Sequence, residues 1–141
     1  MGIKNTFIFL LLAYSHCAIS PLMGMDLLEA IAQVESGGDD RAVGKANEIS
    51  RYQLRPKTWN QYAAPRGYAN PARSRAVAET HLRWLRGELH RLLGRPPTDF
   101  DVAAAWELGV AGYQRRNFDP QRLTPAQRDR AQRVVNLTKV N

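Results

Sequence analysis

One apolar stripe limits what this chain can fold into more than any other feature. Ala78, Leu82, Leu85, Leu89 and Leu92 recur at three- and four-residue spacing, the period of a helix with one buried face. Asn70-Pro71 supplies a cap and a first-turn proline, and Gly94 with Pro96-Pro97 supplies the stop. The segment to about Leu93 is thus the longest predicted helix, and the rest of the chain must cover its stripe. Arg73, Arg75, Arg83, Arg86 and Arg91 lie mostly off the stripe and read as a solvated face. His81 and His90 have no metal-ligand spacing.

Shorter helices flank it. Asp26 opens one that runs to Glu35, with Leu27, Leu28, Ile31 and Val34 as its apolar face. Pro56 begins a short helix over Lys57 to Tyr62, where Trp59 and Tyr62 share a face and read as core. Thr98 and Asp101 form a capping box before the small-residue run Val102 to Leu108, and Thr124 and Gln127 form another before a basic final helix to about Thr138. Between Ser36 and Arg55 periodicity fails, while Gly37, Gly38, Gly44 and Asn47 favour turns. A loop of that length is functional or holds short strands. The expected fold is mostly α, a single domain of a 141-residue chain with room for a short β-hairpin after the first helix. Such a length buries a core without metals or disulfides.

The first helix ends oddly. Glu35 sits in its last turn, before Ser36-Gly37-Gly38, where the helix dipole is negative and a stabilising design places Lys or Arg. Dipole and apolar surroundings both disfavour the ionised carboxylate. A buried carboxylic acid of this kind can deliver a proton to a leaving oxygen. Taken alone, the segment also fits a partly exposed glutamate that merely ends a helix.

Val34-Glu35-Ser36-Gly37-Gly38 resembles the Glu-Ser-Gly signature of the lysozyme-like lytic transglycosylases. Ser50-Arg51-Tyr52-Gln53 followed by Pro56-Lys57-Thr58 resembles their Gly-x-x-Gln step and Pro-x-Thr helix start, at the expected order and spacing. The resemblance covers residues 25–115 and implies a lysozyme-like domain over 22–141. It implies cleavage of the β-1,4 bond between N-acetylmuramic acid and N-acetylglucosamine by one glutamate, without cofactor or metal, leaving a 1,6-anhydro end. On that pattern Glu35 is acid and then base. Ser36 positions it or the acetamido group, Gln53 hydrogen-bonds the glycan, and Tyr52 faces a sugar or packs in the core. A looser match sets Ala105-Trp106-Glu107-Leu108-Gly109 against the family's Ala-Tyr-Asn-Ala-Gly step. Trp106 then stands for the tyrosine that helps position the acid, and Glu107 for an asparagine. Tyr113 either restores the missing hydroxyl or packs in the core. Ser50 stands where the family has glycine.

Lys4 followed by Phe7 to Ala13 reads as the basic and apolar regions of a signal peptide over 1–17, too short to span a bilayer. Cys17 is the only cysteine, so no disulfide framework exists. Removing the leader takes the formal charge from +7 to +6, a balance suited to a polyanionic wall. The expectation is a monomer, secreted or periplasmic, with peptidoglycan strands as partner, at most peripheral membrane association and no nucleic acid. Three other readings remain. A lysozyme-type hydrolase would add a second carboxylate from Asp39, Asp40, Glu48 or Glu107. A wall-binding protein would keep the cleft without the chemistry. A nucleic-acid binder would use Arg128, Arg130 and Arg133 of the last helix.

Overall fold

The computed structural model describes residues 24–64 and 66–139. The proposed leader 1–17 lies outside them. Among the described residues there are six α-helices: α1 (Leu27–Ser36), α2 (Pro56–Trp59), α3 (Pro71–Leu93), α4 (Asp99–Leu108), α5 (Val110–Gln114) and α6 (Pro125–Thr138), with a 3-10 turn at Pro120–Arg122. The domain is all-α and fits a lysozyme-like fold. No described helix is long and apolar enough to cross a membrane.

Local chemistry sets the helix ends where the sequence places them. The Asp26 side chain accepts from the Leu28 and Glu29 amides, Asn70 accepts from Arg73, and both capping boxes close reciprocally. Gly37 adopts the left-handed conformation, with its amide on Gln33 and that of Gly38 on Ala32. This paired bonding of the last carbonyls ends α1, one residue later than the sequence suggests. The short helix α2 stops at Trp59 instead of Tyr62.

The core forms around α4, which is buried on every side. Val102, Ala103, Ala104, Ala105 and Trp106 are all buried, and α4 packs on α3, α5 and α6 while α6 also packs on α1. Alanines at the contacts let these helices approach closely. From α3 come Ala78, Leu82, Leu85 and Leu89, as the stripe predicts, with Ser74, Val77 and His81 added and Leu92 only half-buried. From α1 come Leu27, Leu28, Ala30, Ile31 and Ala32, while Val34 packs at the margin. Each fully buried leucine or isoleucine contributes about 2 kcal/mol. Trp59 is fully enclosed and donates Nε1–H to the Ala64 carbonyl, which is the core role its spacing suggests.

The loop after α1 holds no hairpin. Two isolated bridges, Val43 with Ile49 and Ile49 with Leu54, are its only strand-like pairings among the described residues. Regular pairing is interrupted because Asn47, Ser50 and Gln53 all take positive φ, at 62°, 68° and 49°. Ion pairs stiffen the loop instead: Arg51 reaches Glu29 and Asp40 and donates to the Gly38 carbonyl at 3.1 Å.

Candidate active site

A cleft of 680 Å³ opens between this loop and the helices. Glu35 comes to it from α1, Glu48 and Gln53 from the loop, His81 and Trp84 from α3, Trp106 and Glu107 from α4, and Gln127 and Arg130 from α6. A second depression of 510 Å³, over Gln61, Tyr62, Arg73 and Thr80, is lined by one cation and no acid. No group of three or more His, Cys, Asp or Glu among the described residues could hold a metal ion.

The Glu35 side chain is only 12 % exposed, and its single side-chain hydrogen bond among the described residues comes from Arg130, Nη2 to Oε2 at 2.8 Å. Burial raises its pKa above the ordinary glutamate value. Arg130 pulls the other way, Glu107 and Glu48 add to the rise, and the net direction is upward. Glu107 is also raised, by burial first, with Arg130 opposing. Two carboxyls in one cleft are thus biased toward holding a proton.

The loop fixes Gln53. Its amide nitrogen donates to the Ser50 carbonyl at 2.9 Å and the Ala42 carbonyl at 3.3 Å. Gly44 lies so close that a Cβ there would strike Glu48 Oε2 and Gln53 Oε1, so only glycine lets both side chains occupy the wall. Ser36 is tied into this frame, its hydroxyl donating to the Arg51 carbonyl at 2.9 Å and to Ala32 at 3.3 Å. It staples the end of α1 to the loop carrying Gln53 and is not among the cleft-lining residues. Ser50, where the family has glycine, takes the left-handed conformation that glycine would favour and is fully buried, its Oγ accepting from the Tyr52 amide at 3.3 Å. The departure keeps the backbone path at a cost of about 1 kcal/mol.

Tyr52 presents no face to the cleft. Its ring is wholly buried, which leaves the core role of the two considered. Trp106 lines the cleft and donates Nε1–H to the Tyr52 carbonyl at 3.0 Å, binding α4 to the loop. Tyr113 does not restore the hydroxyl that Trp106 lacks. It is fully buried, and its Oη donates to Asp101 Oδ1 at 3.1 Å and the Phe118 carbonyl at 3.2 Å, away from the cleft-lining residues. Asp39 and Asp40 serve the loop, one on the Arg41 amide at 2.9 Å and the other beside Arg51 at 3.5 Å.

Two features escape a reading by motif. Trp84, 51 % exposed, stacks on His81 with ring centroids 5.6 Å apart, and His81 meets the edge of Trp106 at 5.0 Å. These rings form an aromatic wall. His81 also contacts Tyr62 Oη through Nδ1 at 3.2 Å, and burial lowers its pKa to about 4, so it is neutral at pH 7. The other is Arg130. Arg128, Arg130 and Arg133 do not form a common basic face: Arg128 turns back onto the Pro120, Gln121 and Leu123 carbonyls, and Arg130 turns onto Glu35. That removes the observation favouring a nucleic-acid surface. Exposed tryptophan within the long basic helix was the available signal for the wall; nothing local marked Arg130.

A helical domain with a nearly enclosed glutamate lining an open polar cleft fits the lysozyme-like class of folds. The family model described as the transglycosylase SLT domain matches residues 23–121. The chain belongs to that family, whose members are lytic transglycosylases acting on peptidoglycan. No curated protein and no solved structure matches it.

Proposed function

We propose that this chain is an exported, monomeric lytic transglycosylase that cleaves the β-1,4 bond after N-acetylmuramic acid. The observation that carries the reading is Glu35, nearly enclosed, biased toward its neutral form and lining the cleft. Its carboxyl proton passes to the glycosidic oxygen as the C1–O4 bond breaks, with the substrate's acetamido oxygen assisting at C1. The resulting carboxylate then takes the proton of the 6-hydroxyl, whose oxygen closes onto C1. Proton, bond and charge balance without water. Gln53 and Trp106 form the walls that orient the strand, and Ser36 acts by holding the end of α1. The net positive charge and the apolar leader support a destination in the bacterial envelope.

Glu107 and Glu48 favour one second reading, a hydrolase in which another carboxylate activates water. Purified sacculi digested by the full chain separate the two by mass. The anhydro product is expected; a product heavier by one water converts the reading to hydrolysis. Sacculi bound but uncut would make the protein a wall-binding module.

A further inference from the structure

Arg130 is a cleft residue that the family motifs do not account for. It lies on α6, beyond the matched segment 23–121. Its helix is firmly seated, with Ala131 and Val134 buried and Arg128 locking the first turn to three carbonyls. The Arg130 side chain is 40 % exposed along the cleft, and apart from the bond to Glu35 it makes no hydrogen bond among the described residues; its Nε is buried without an acceptor. The charged and titratable groups that line the cleft with it are Glu35 from α1, Glu48, Lys45 and Arg55 from the loop, Lys57 from α2, His81 from α3 and Glu107 from α4, and of these Glu35, Glu107 and Glu48 act on its charge. Arg55 sits 3.9 Å from Glu48, so among the described residues only Arg130 bonds to Glu35.

That contact conflicts with the role of Glu35. Burial lifts the Glu35 pKa, but a guanidinium bonded to a carboxylate favours the ionised form and holds part of that rise back. Moving Arg130 away would leave burial, Glu107 and Glu48 unopposed and make the Glu35 proton fully available. Guanidinium prefers planar, two-point contact with a carboxylate, and the one bond to Glu35 leaves that capacity unused. Muramoyl units bear carboxylates, on the lactyl ether or the attached peptide, which uncharged glycans lack.

We propose that Arg130 is a positioning residue that clasps Glu35 in the free cleft and transfers to a carboxylate of the bound glycan, so that carboxylate-bearing strands release the acid. This rests on Glu35 being the acid. The test uses the full chain as wild type, R130Q and R130K, with folding followed by circular dichroism. Sacculi with intact carboxyls are compared with sacculi whose carboxyls have been amidated. Wild type should cut intact sacculi about tenfold faster, the worth of one charge-assisted hydrogen bond. R130Q should show a ratio near one, and R130K a ratio between. A wild type without preference, or R130Q with the full preference, overturns the proposal. A second measurement needs no turnover: NMR titration of the Glu35 carboxyl with N-acetylmuramoyl dipeptide. The dipeptide should raise the midpoint in wild type, its amidated form should not, and R130Q should be high from the start. If those shifts occur but sacculi stay intact, the transglycosylase reading falls and the clasp stands. If R130Q leaves the midpoint unchanged, the clasp is overturned whatever the activity.

Discussion

Replacing Glu35 by Gln should move activity and stability in opposite directions. Gln preserves the shape but neither gives nor retakes a proton. In the proposed mechanism one group performs both steps, and a positioned acid or base contributes about 10²- to 10⁴-fold, so turnover should fall at least that far while glycan binding persists. Stability follows the pKa. The folded protein binds the Glu35 proton more tightly than the unfolded chain does, because burial outweighs the pull of Arg130. The stabilising contribution is therefore present below the unfolded value of 4.5 and lost as pH rises through the higher folded value. Each unit of that rise removes about 1.4 kcal/mol at neutral pH. Gln carries no such loss. Arg130 does lose a bond, but its guanidinium is 40 % exposed and still feels Glu107 and Glu48. At pH 7 the variant should be at least as stable as wild type in urea, and the two curves should converge at pH 4. Sacculus digestion supplies the activity. A variant destabilised by more than about 2 kcal/mol at pH 7, or one cutting within about tenfold of wild type, would refute the reasoning, since the first marks a structural ion pair.

The neighbouring residues should respond differently. Trp84→Ala removes the exposed face of the aromatic wall and should weaken glycan binding by about 1 kcal/mol with little change in stability; calorimetric titration of Glu35→Gln with and without the second change reads it. Gly44→Ala should displace Glu48 and Gln53 from the cleft, lowering kcat/KM while the circular dichroism spectrum stays that of wild type. Glu107→Gln should lower turnover only in part, because in the proposed mechanism Glu35 performs both proton transfers; loss as deep as at Glu35 would favour the two-carboxylate hydrolase. His81 is folded as a neutral ring, so its contribution is complete above pH 6.5 and lost as pH falls toward about 4. Urea titrations of His81→Gln should lack that decline.

What the sequence reveals about this molecule is what neighbours in the chain decide. Asp26, Asn70, Thr98 and Thr124 cap helices through bonds two or three residues away, so their side-chain type is nearly sufficient. The stripe on α3 is legible for the same reason, and Glu35 stands out because it offends a local rule at a helix end. The loop is harder to read, because left-handed backbone at Ser50 and Gln53 has no mark in residues that usually avoid it, and a hairpin is the natural but wrong expectation. Tyr52 misleads similarly: an aromatic beside a motif residue suits a sugar face or a core equally until burial decides. The contact between Glu35 and Arg130 joins residues 95 positions apart, and no periodicity records such a pairing. Its meaning emerges only beside Trp106. The family pattern has a tyrosine hydroxyl near the acid; here the indole N–H is committed to the Tyr52 carbonyl and the Tyr113 hydroxyl to Asp101. The bond to the acid comes instead from α6, with a full positive charge behind it. A neutral donor tolerates a protonated acid, whereas a guanidinium resists one. If Glu35 is the acid, as proposed, the exchange of a neutral donor for Arg130 bears on when it can act.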